Sequence, residues 1–185
     1  KQKISKTIRE SEKLIKSLLV GKIKFEVAIQ DDITVMADTT QINVMLINLA
    51  KNAREVMPRG GRFRIEVRAA EIDAKFIPEY GYGKNGKYAE ITVSDSGVGM
   101  DKDTLVKIFQ PFYLAKTVGV ASGLTLSTVY AIVKQHHGYI NADSEPGKGT
   151  TFRIYLPSQE PSADKPKESV SEVKDGKETI LLAED

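Results

Sequence analysis

The chain has 185 residues, of which 41% are hydrophobic and 28% are charged, the balance of an ordinary globular domain. Lys and Arg number 27 against 25 Asp and Glu, so the net charge of +2 does not indicate a nucleic-acid-binding surface. Because the chain has no cysteine, disulfides, thiolate metal sites and cysteine nucleophiles are excluded. This composition fits a reducing compartment, and we expect a cytoplasmic location.

Apolar runs are too short for a membrane span, which takes about 18 consecutive apolar residues, and we expect no membrane contact by this chain. Its two histidines, His136 and His137, are too few for a histidine-rich metal site. The first residue is lysine, and we therefore expect the chain to be a fragment of a longer protein.

The first half of the chain alternates helical and extended patterns. Apolar residues recur at helical spacing over 2–19 and over 41–57, and Asp38, Thr39 and Thr40 are candidate caps of the second helix. Alternating apolar and polar residues predict strands at 23–29, at 35–37 and around 63–67. Residues 71–87 mix aromatic residues with glycines and are expected to form a hairpin loop.

The second half repeats both patterns before its composition changes. The patterns predict a strand at 88–94, a short helix at 101–108, a helix at 123–137, and strands at 139–143 and 151–156. From 158 to 178 the residues are mostly Ser, Pro, Lys, Asp and Glu, which is typical of a solvated linker. Residues 179–185 form a short apolar strand pattern that ends in an acidic pair.

Two polar segments stand out within these elements. Asn48 and Asn52 lie four residues apart on one predicted helix face, where two amides need hydrogen-bond partners or a hydrated metal. Asp95 follows the predicted strand 88–94 and precedes Gly97 and Gly99. A carboxylate there can accept a hydrogen bond from an exocyclic amine, and the glycines suit a ligand that approaches the backbone closely.

Two further segments follow. One is Phe109-Gln110-Pro111-Phe112, with Lys116 and Gly119 beyond it, and the other is Gly123-Leu124 at the start of a helix, where backbone amides favour phosphate. Each of the four segments alone is weak. Helical asparagines usually face solvent, a glycine loop is usually a turn, and a loop lysine is usually solvated.

In their order and spacing the four segments resemble the N, G1, F and G2 boxes of the ATP-binding domain of sensor histidine kinases. The wider family includes gyrase, the ninety-kilodalton heat-shock chaperone and MutL. Residues 48–58 and 147–152 also resemble the sequence motifs of the family. The resemblance covers about residues 1–157. Residues 178–185 resemble the first strand of a receiver domain. This implies a hybrid kinase with a linker at 158–178 and a truncated receiver-like domain at 179–185.

The resemblance implies a role for each matching residue. Asn52 matches a Mg²⁺ ligand, and Asn48 is a second polar group near that metal. Asp95 matches the carboxylate that binds the adenine amino group, and Thr150 matches a threonine that holds a water on the adenine. The remaining matches are adenine-contacting glycines, lid and phosphate residues, and lid-anchoring aromatics: Gly97, Gly99, Lys116, Gly119, Gly123, Leu124, Phe109 and Phe112.

The implied reaction is phosphoryl transfer from ATP with Mg²⁺, which depends on electrostatic stabilisation of the γ-phosphoryl oxygens. In this family the acceptor histidine lies on a separate dimerisation domain, and that domain and the receiver domain of the same protein are the implied partners. Dimerisation is expected only through that domain. His136 and His137 end a predicted helix, and we interpret them as structural.

Departures from the family pattern keep alternatives open. Ala121 and Thr125 replace glycines of the G2 pattern, so a degenerate nucleotide-binding or scaffolding domain is the main alternative. ATPase relatives carry a glutamate base at position 48, and Asn48 cannot act as a base, which disfavours a hydrolase. A pure interaction domain would leave Asp95 and Asn52 unexplained.

The fold expected from the resemblance is a two-layer α/β sandwich of the Bergerat type. A mixed sheet of about five strands is covered on one face by the helices at 2–19, 41–57 and 123–137. The nucleotide is expected between the helical layer and a lid at 113–122.

Overall fold

The computed structural model describes residues 1–19, 21–73, 84–110 and 125–159. In chain order the elements are β1 (Gln2–Lys3), α1 (Ile4–Leu18), β2 (Ile23–Ile29), β3 (Thr34–Val35), α2 (Thr39–Val56), β4 (Gly61–Ile72), β5 (Gly86–Asp95), α3 (Lys102–Leu105), α4 (Thr125–Gln135), β6 (Tyr139–Glu145) and β7 (Gly149–Pro157). Within these ranges, none of the helices combines the length and the apolar character needed to cross a bilayer.

Five strands form the main sheet in the order β2-β4-β5-β7-β6. β2 pairs with β4 in parallel, and the other three pairings are antiparallel. A parallel pair requires a crossover connection, and here that connection carries α2. The mixed five-stranded sheet predicted from the sequence is confirmed.

The helices cover one face of this sheet with their apolar stripes. The buried apolar residues of these helices are Ile4, Ile8 and Ile15 of α1, Ile42, Met45, Leu46, Leu49, Ala50 and Ala53 of α2, and Val129, Ile132 and Val133 of α4. They form one core with the inward side chains of the strands. The two-layer α/β architecture is therefore also confirmed, with its stabilisation coming mainly from apolar burial.

Helix α2, which carries both candidate metal-binding amides, begins at a side-chain cap. The Asp38 carboxylate accepts hydrogen bonds from the backbone N–H of Thr40 at 2.7 Å and of Gln41 at 3.3 Å. These two bonds satisfy amides that have no partner inside the first turn of the helix. Of the three candidate caps in the sequence, Asp38 is the one used.

The structure differs from the sequence prediction at the ends of several elements. Gln2 and Lys3, predicted as helical, form a short strand that pairs with β3, and the Ile4 N–H donates to the Ile33 carbonyl at 3.0 Å. The helix predicted at 101–108 is α3, which has only four residues. Strands β4 and β5 both extend further into the predicted 71–87 loop than expected. Pairing between distant segments decided the ends at Gln2–Lys3, β4 and β5, and local periodicity does not contain that information.

Strand register arranges the helix-facing side chains of the sheet in rows across β4, β5, β7 and β6. Two successive rows are apolar, namely Val67, Ile91, Ile154 and Ile140, then Ile65, Val93, Phe152 and Ala142. The next row contains Phe63, Asp95, Thr150 and Ser144. Side chains directly opposite one another on paired strands are neighbours. A carboxyl and two hydroxyls therefore meet at the end of the two apolar rows, which we call the apolar floor.

Candidate functional site

Asp95 is the last residue of β5 and is only 8% exposed. Its Oδ1 accepts a hydrogen bond from the Gly97 N–H at 2.8 Å, and the backbone N–H of Thr150 also bonds to the carboxylate. Burial raises the pKa of Asp95 to about 6, against the lowering effect of those two hydrogen bonds. A carboxylate has about four acceptor positions, so Asp95 keeps acceptor capacity for a ligand.

The loop after Asp95 is held by backbone hydrogen bonds to three other parts of the chain. The Ser96 N–H donates to the Arg62 carbonyl at 3.1 Å, and the Val98 N–H donates to the Val56 carbonyl at the end of α2 at 3.2 Å. The Val98 carbonyl accepts from the Gly147 N–H at 2.7 Å. The loop is therefore fixed to β4, to α2 and to the turn between β6 and β7.

Gly97 and Gly99 are required by packing inside the protein. A Cβ on Gly97 would overlap the Val56 side chain and lie 2.8 Å from Asp95 Oδ1. Gly99 has a φ of +67°, and a Cβ there would overlap the Glu145 carbonyl oxygen. Close contacts with other residues of this chain explain both glycines. Their contact with an adenine stays a prediction.

Thr150 is the second residue of β7, lies opposite Asp95 and is 5% exposed. Its Oγ1 lies 2.9 Å from the Oγ of Ser144, the residue opposite it on β6. Ser144 is not among the site residues predicted from the sequence. Its only sequence signal is its symmetry with Thr150 about the Glu145–Gly149 turn, and the register of that hairpin was needed to recognise it.

Asn48 and Asn52 are half-buried on α2, four residues apart. Val56 lies one further turn along the same face, about 6 Å along the helix axis, and it contacts Gly97 and Val98. The two amides therefore lie on the helix face that leads away from the Asp95 loop. Neither amide hydrogen-bonds to another residue that the structure describes.

These two amides suit a magnesium ion that shares its ligands with phosphate and water. Amide oxygens are hard donors, and Mg²⁺ commonly takes one or two protein ligands and completes its shell with phosphates and waters. Among the described residues no group of three or more His, Cys, Asp or Glu side chains could hold a metal ion. The donor set at Asn48 and Asn52 thus fits a metal that arrives with a nucleotide rather than a metal in an all-protein cage.

Phe109 is half-buried between the sheet and α4. Its ring centroid lies 5.6 Å from that of Tyr130 and 6.4 Å from that of Phe152. These contacts hold Phe109 against α4 and the sheet. The other residues predicted for the lid and the phosphates lie outside the described residues: Phe112, Lys116, Gly119, Gly123 and Leu124.

His136 and His137 directly follow α4, and the hydrogen bonds of His136 agree with the structural role that we inferred from the sequence. His136 Nε2 accepts from the Asp38 N–H at 3.0 Å, and its Nδ1 donates to the Ile132 carbonyl at 2.8 Å. His137 has a φ of 56° at the helix end. Both ring nitrogens of His136 are therefore engaged within the protein.

Comparison with known proteins agrees with this fold. Residues 37–160 match the family described as histidine kinase-, DNA gyrase B- and HSP90-like ATPase. The chain is 39% identical over 190 residues to sensor kinase CckA of Brucella abortus (strain 2308), covering 94% of this chain and 20% of that protein. It is 34% identical over 139 residues to sporulation kinase E of Bacillus subtilis (strain 168), covering 75% of this chain and 17% of that protein.

A solved structure of a mycobacterial sensor histidine kinase, MprB, superposes with a TM-score of 0.66 at 25% identity. The match covers 84% of this chain and 96% of that one. The chain therefore belongs to the histidine kinase-, DNA gyrase B- and HSP90-like ATPase family, and its fold and relatives are those of a sensor histidine kinase catalytic domain. It spans about a fifth of the length of the curated relatives named above.

Proposed function

We propose that this chain binds ATP together with Mg²⁺ and transfers the γ-phosphoryl group to a histidine on a separate dimerisation domain of the same full-length protein. The observation that carries the proposal is Asp95, a buried carboxylate with free acceptor capacity at the end of an apolar sheet face. A buried carboxylate with a strongly shifted pKa, set beside a fixed glycine loop, is typical of a binding site rather than of a structural core.

Asp95 would select the base. Backbone amides already donate to its carboxylate, so the group is oriented, and its remaining lone pairs accept from a donor on the ligand. The exocyclic amine of adenine is such a donor, whereas guanine presents a carbonyl oxygen at the corresponding position. Thr150 would hold a water at the same edge of the base, and Gly97 and Gly99 would form the wall against which the base lies.

The amide face of α2 would serve the phosphate end of the nucleotide. Asn52, with Asn48 beside it, would contribute oxygen ligands to Mg²⁺, which neutralises phosphate charge when bound. On the resemblance alone, we assign Lys116 to the phosphates as a cation. Gly119, Gly123 and Leu124 are assigned to the phosphates as backbone contacts.

Asn48 supports transfer to a protein rather than to water. An amide cannot take a proton from an attacking water, so position 48 supplies no base for hydrolysis. His136 is engaged on both ring nitrogens, which supports an acceptor histidine outside this chain. We further propose that the full-length protein is a cytoplasmic hybrid kinase whose receiver domain begins at residue 179.

A second candidate function is nucleotide sensing or scaffolding without transfer. It is favoured by Ala121 and Thr125, which stand where the family pattern has glycines. Thr125 is the first residue of α4, where a β-branched side chain occupies the position of the expected glycine.

One experiment separates the two candidates. Calorimetric titration of the chain with ATP and Mg²⁺ measures binding, and labelled ATP with a dimerisation domain supplied in trans measures transfer. Binding with transfer is the expected result. Binding without transfer would support the sensing alternative, and no binding to the parent chain would contradict the proposed function.

A further inference from the structure

The Ser144 hydroxyl joins three parts of the chain around the proposed adenine end of the site. Its Oγ accepts a hydrogen bond from the Met100 N–H at 2.8 Å and donates to the Gly149 carbonyl at 2.9 Å. The Oγ1 of Thr150 lies 2.9 Å away on a third side. One hydroxyl of β6 therefore connects the end of the Asp95 loop with the first two residues of β7.

Every donor and acceptor position of the Ser144 hydroxyl has a partner within the protein. A serine hydroxyl has one proton and two lone pairs, a backbone N–H only donates, and a carbonyl only accepts. The Ser144 proton therefore belongs to Gly149, one lone pair belongs to Met100, and the Thr150 hydroxyl donates to the second lone pair. Ser144 has no capacity left for a ligand, so it can act on a ligand only through its neighbours.

The position of Ser144 confines the effect of its hydroxyl to the residues around Asp95 and Thr150. Ser144 lies opposite Thr150, and Thr150 lies opposite Asp95 on the next strand. The Asp95 loop keeps its bonds from Val98 to Val56 and to Gly147 when the serine hydroxyl is removed. Loss of the hydroxyl would free the Met100 amide and the Thr150 side chain while the sheet and the rest of the loop stay attached.

We propose that Ser144 is a positioning residue of the nucleotide site, whose hydroxyl fixes the end of the Asp95 loop and the orientation of Thr150 for adenine binding. This inference rests on the proposed function. The ligand would contact Asp95 and Thr150, and Ser144 would act through Thr150 and Met100. Because the two hydrogen bonds through which Ser144 acts on the site, those with Met100 and Thr150, are of ordinary strength, removal of the hydroxyl is expected to raise the Kd about three- to tenfold.

The test compares ADP affinity in the presence of Mg²⁺, by calorimetry on the full 185-residue chain, for the parent and four variants. Ser144→Ala removes the hydroxyl, and Ser144→Cys replaces it with a thiol that forms only weak hydrogen bonds. Ser144→Thr keeps a hydroxyl. Asp143→Ala is the matched control, because Asp143 is the neighbouring residue of β6 and its exposed side chain pairs with Arg153 instead. All measurements are made well below the unfolding midpoint of every variant.

We expect Ser144→Ala and Ser144→Cys to weaken ADP binding three- to tenfold, and Ser144→Thr and Asp143→Ala to stay within about twofold of the parent. If the alanine variant does not fold, the cysteine variant, which keeps the volume, decides. Parent-like affinity in the folded hydroxyl-free variants would overturn the role of Ser144, and so would an equal loss in Ser144→Thr. A parent chain that does not bind ADP would instead overturn the proposed function.

Discussion

Asp95 and Thr150 lie directly opposite each other on β5 and β7, and the Thr150 backbone N–H bonds to the Asp95 carboxylate. An apolar floor leads up to this pair on both strands, with Val93 and Phe152 in the row before it. A carboxylate at the end of such a floor is desolvated yet hydrogen-bonded, so it is costly in the free protein and useful to a ligand. This one pair therefore links the stability of the domain to its proposed chemistry.

The first prediction concerns stability against pH. Burial raises the pKa of Asp95 from 3.8 to about 6, so the folded state holds this proton more tightly than the unfolded state does. The resulting stabilisation is fully present below pH 4 and is lost as the pH rises through 6, on the order of 3 kcal/mol in all. Asp95→Asn should remove this loss and unfold at higher urea concentration than the parent at pH 7.

Urea unfolding of the parent and of Asp95→Asn at several pH values checks this. The difference in unfolding free energy between the two proteins should grow from pH 4 to pH 7, because only the parent has a carboxylate to ionise. A difference that does not change with pH would mean that Asp95 has an ordinary pKa in the folded chain.

The second prediction concerns the base. Asp95→Asn should weaken ADP binding by about tenfold or more at pH 7, since a charged acceptor is replaced by an amide that also presents donors. The ratio of parent to variant affinity should fall between pH 7 and pH 5, as the parent carboxylate takes up its proton. Calorimetry gives both values, and the ratio is used because phosphate groups also titrate near pH 6. Equal affinities would remove Asp95 from the site.

The third prediction concerns the metal. Asn52→Ala should reduce ATP affinity strongly with Mg²⁺ and little in its absence, because Asn52 would act through the ion. Lys51→Ala, the exposed neighbour on α2, is the matched control and should leave both values unchanged. Titrations with Mg²⁺ and with a chelator provide the comparison. Equal losses in the two conditions would make Asn52 a packing residue.

The fourth prediction tests the packing role of the loop glycines. Gly99→Ala should destabilise the fold by about 3 kcal/mol or more, because φ is positive and its Cβ would overlap the Glu145 carbonyl. Gly147→Ala is the control, since Gly147 also has a positive φ but no atom lies within 4 Å of its added Cβ. That variant should lose only about 1 kcal/mol. Similar unfolding midpoints in urea would show that the close approach is relieved at little cost.

The fifth prediction concerns the altered glycine pattern. Ala121→Gly combined with Thr125→Gly should tighten ATP binding or raise phosphotransfer, because a Cβ that meets a phosphate excludes the bound pose. Glycine also adds conformational freedom worth about 0.5–1 kcal/mol per residue, which opposes the gain. Calorimetry and transfer to the dimerisation domain measure the balance. Parent-like values in both assays would show that these side chains are tolerated.

Much of the architecture follows from local sequence patterns. The core helices were predicted with small errors at their ends and the strand 23–29 with none, because a helix or a half-buried strand shows its own apolar period. Asp95 and Asn52 could likewise be selected as candidate site residues, since a carboxylate before two glycines and a pair of amides on one helix face are visible along the chain.

Cross-strand placement was decided only by the tertiary structure. The register of β5, β6 and β7 brings Ser144 to Thr150 and Asp95, and a shift of one residue would turn that hydroxyl to the other face of the sheet. The pairing of Gln2 and Lys3 with β3 depends in the same way on a partner about thirty residues away. Periodicity reports which face of an element is buried, but the free energy of pairing and packing selects which residues meet on that face.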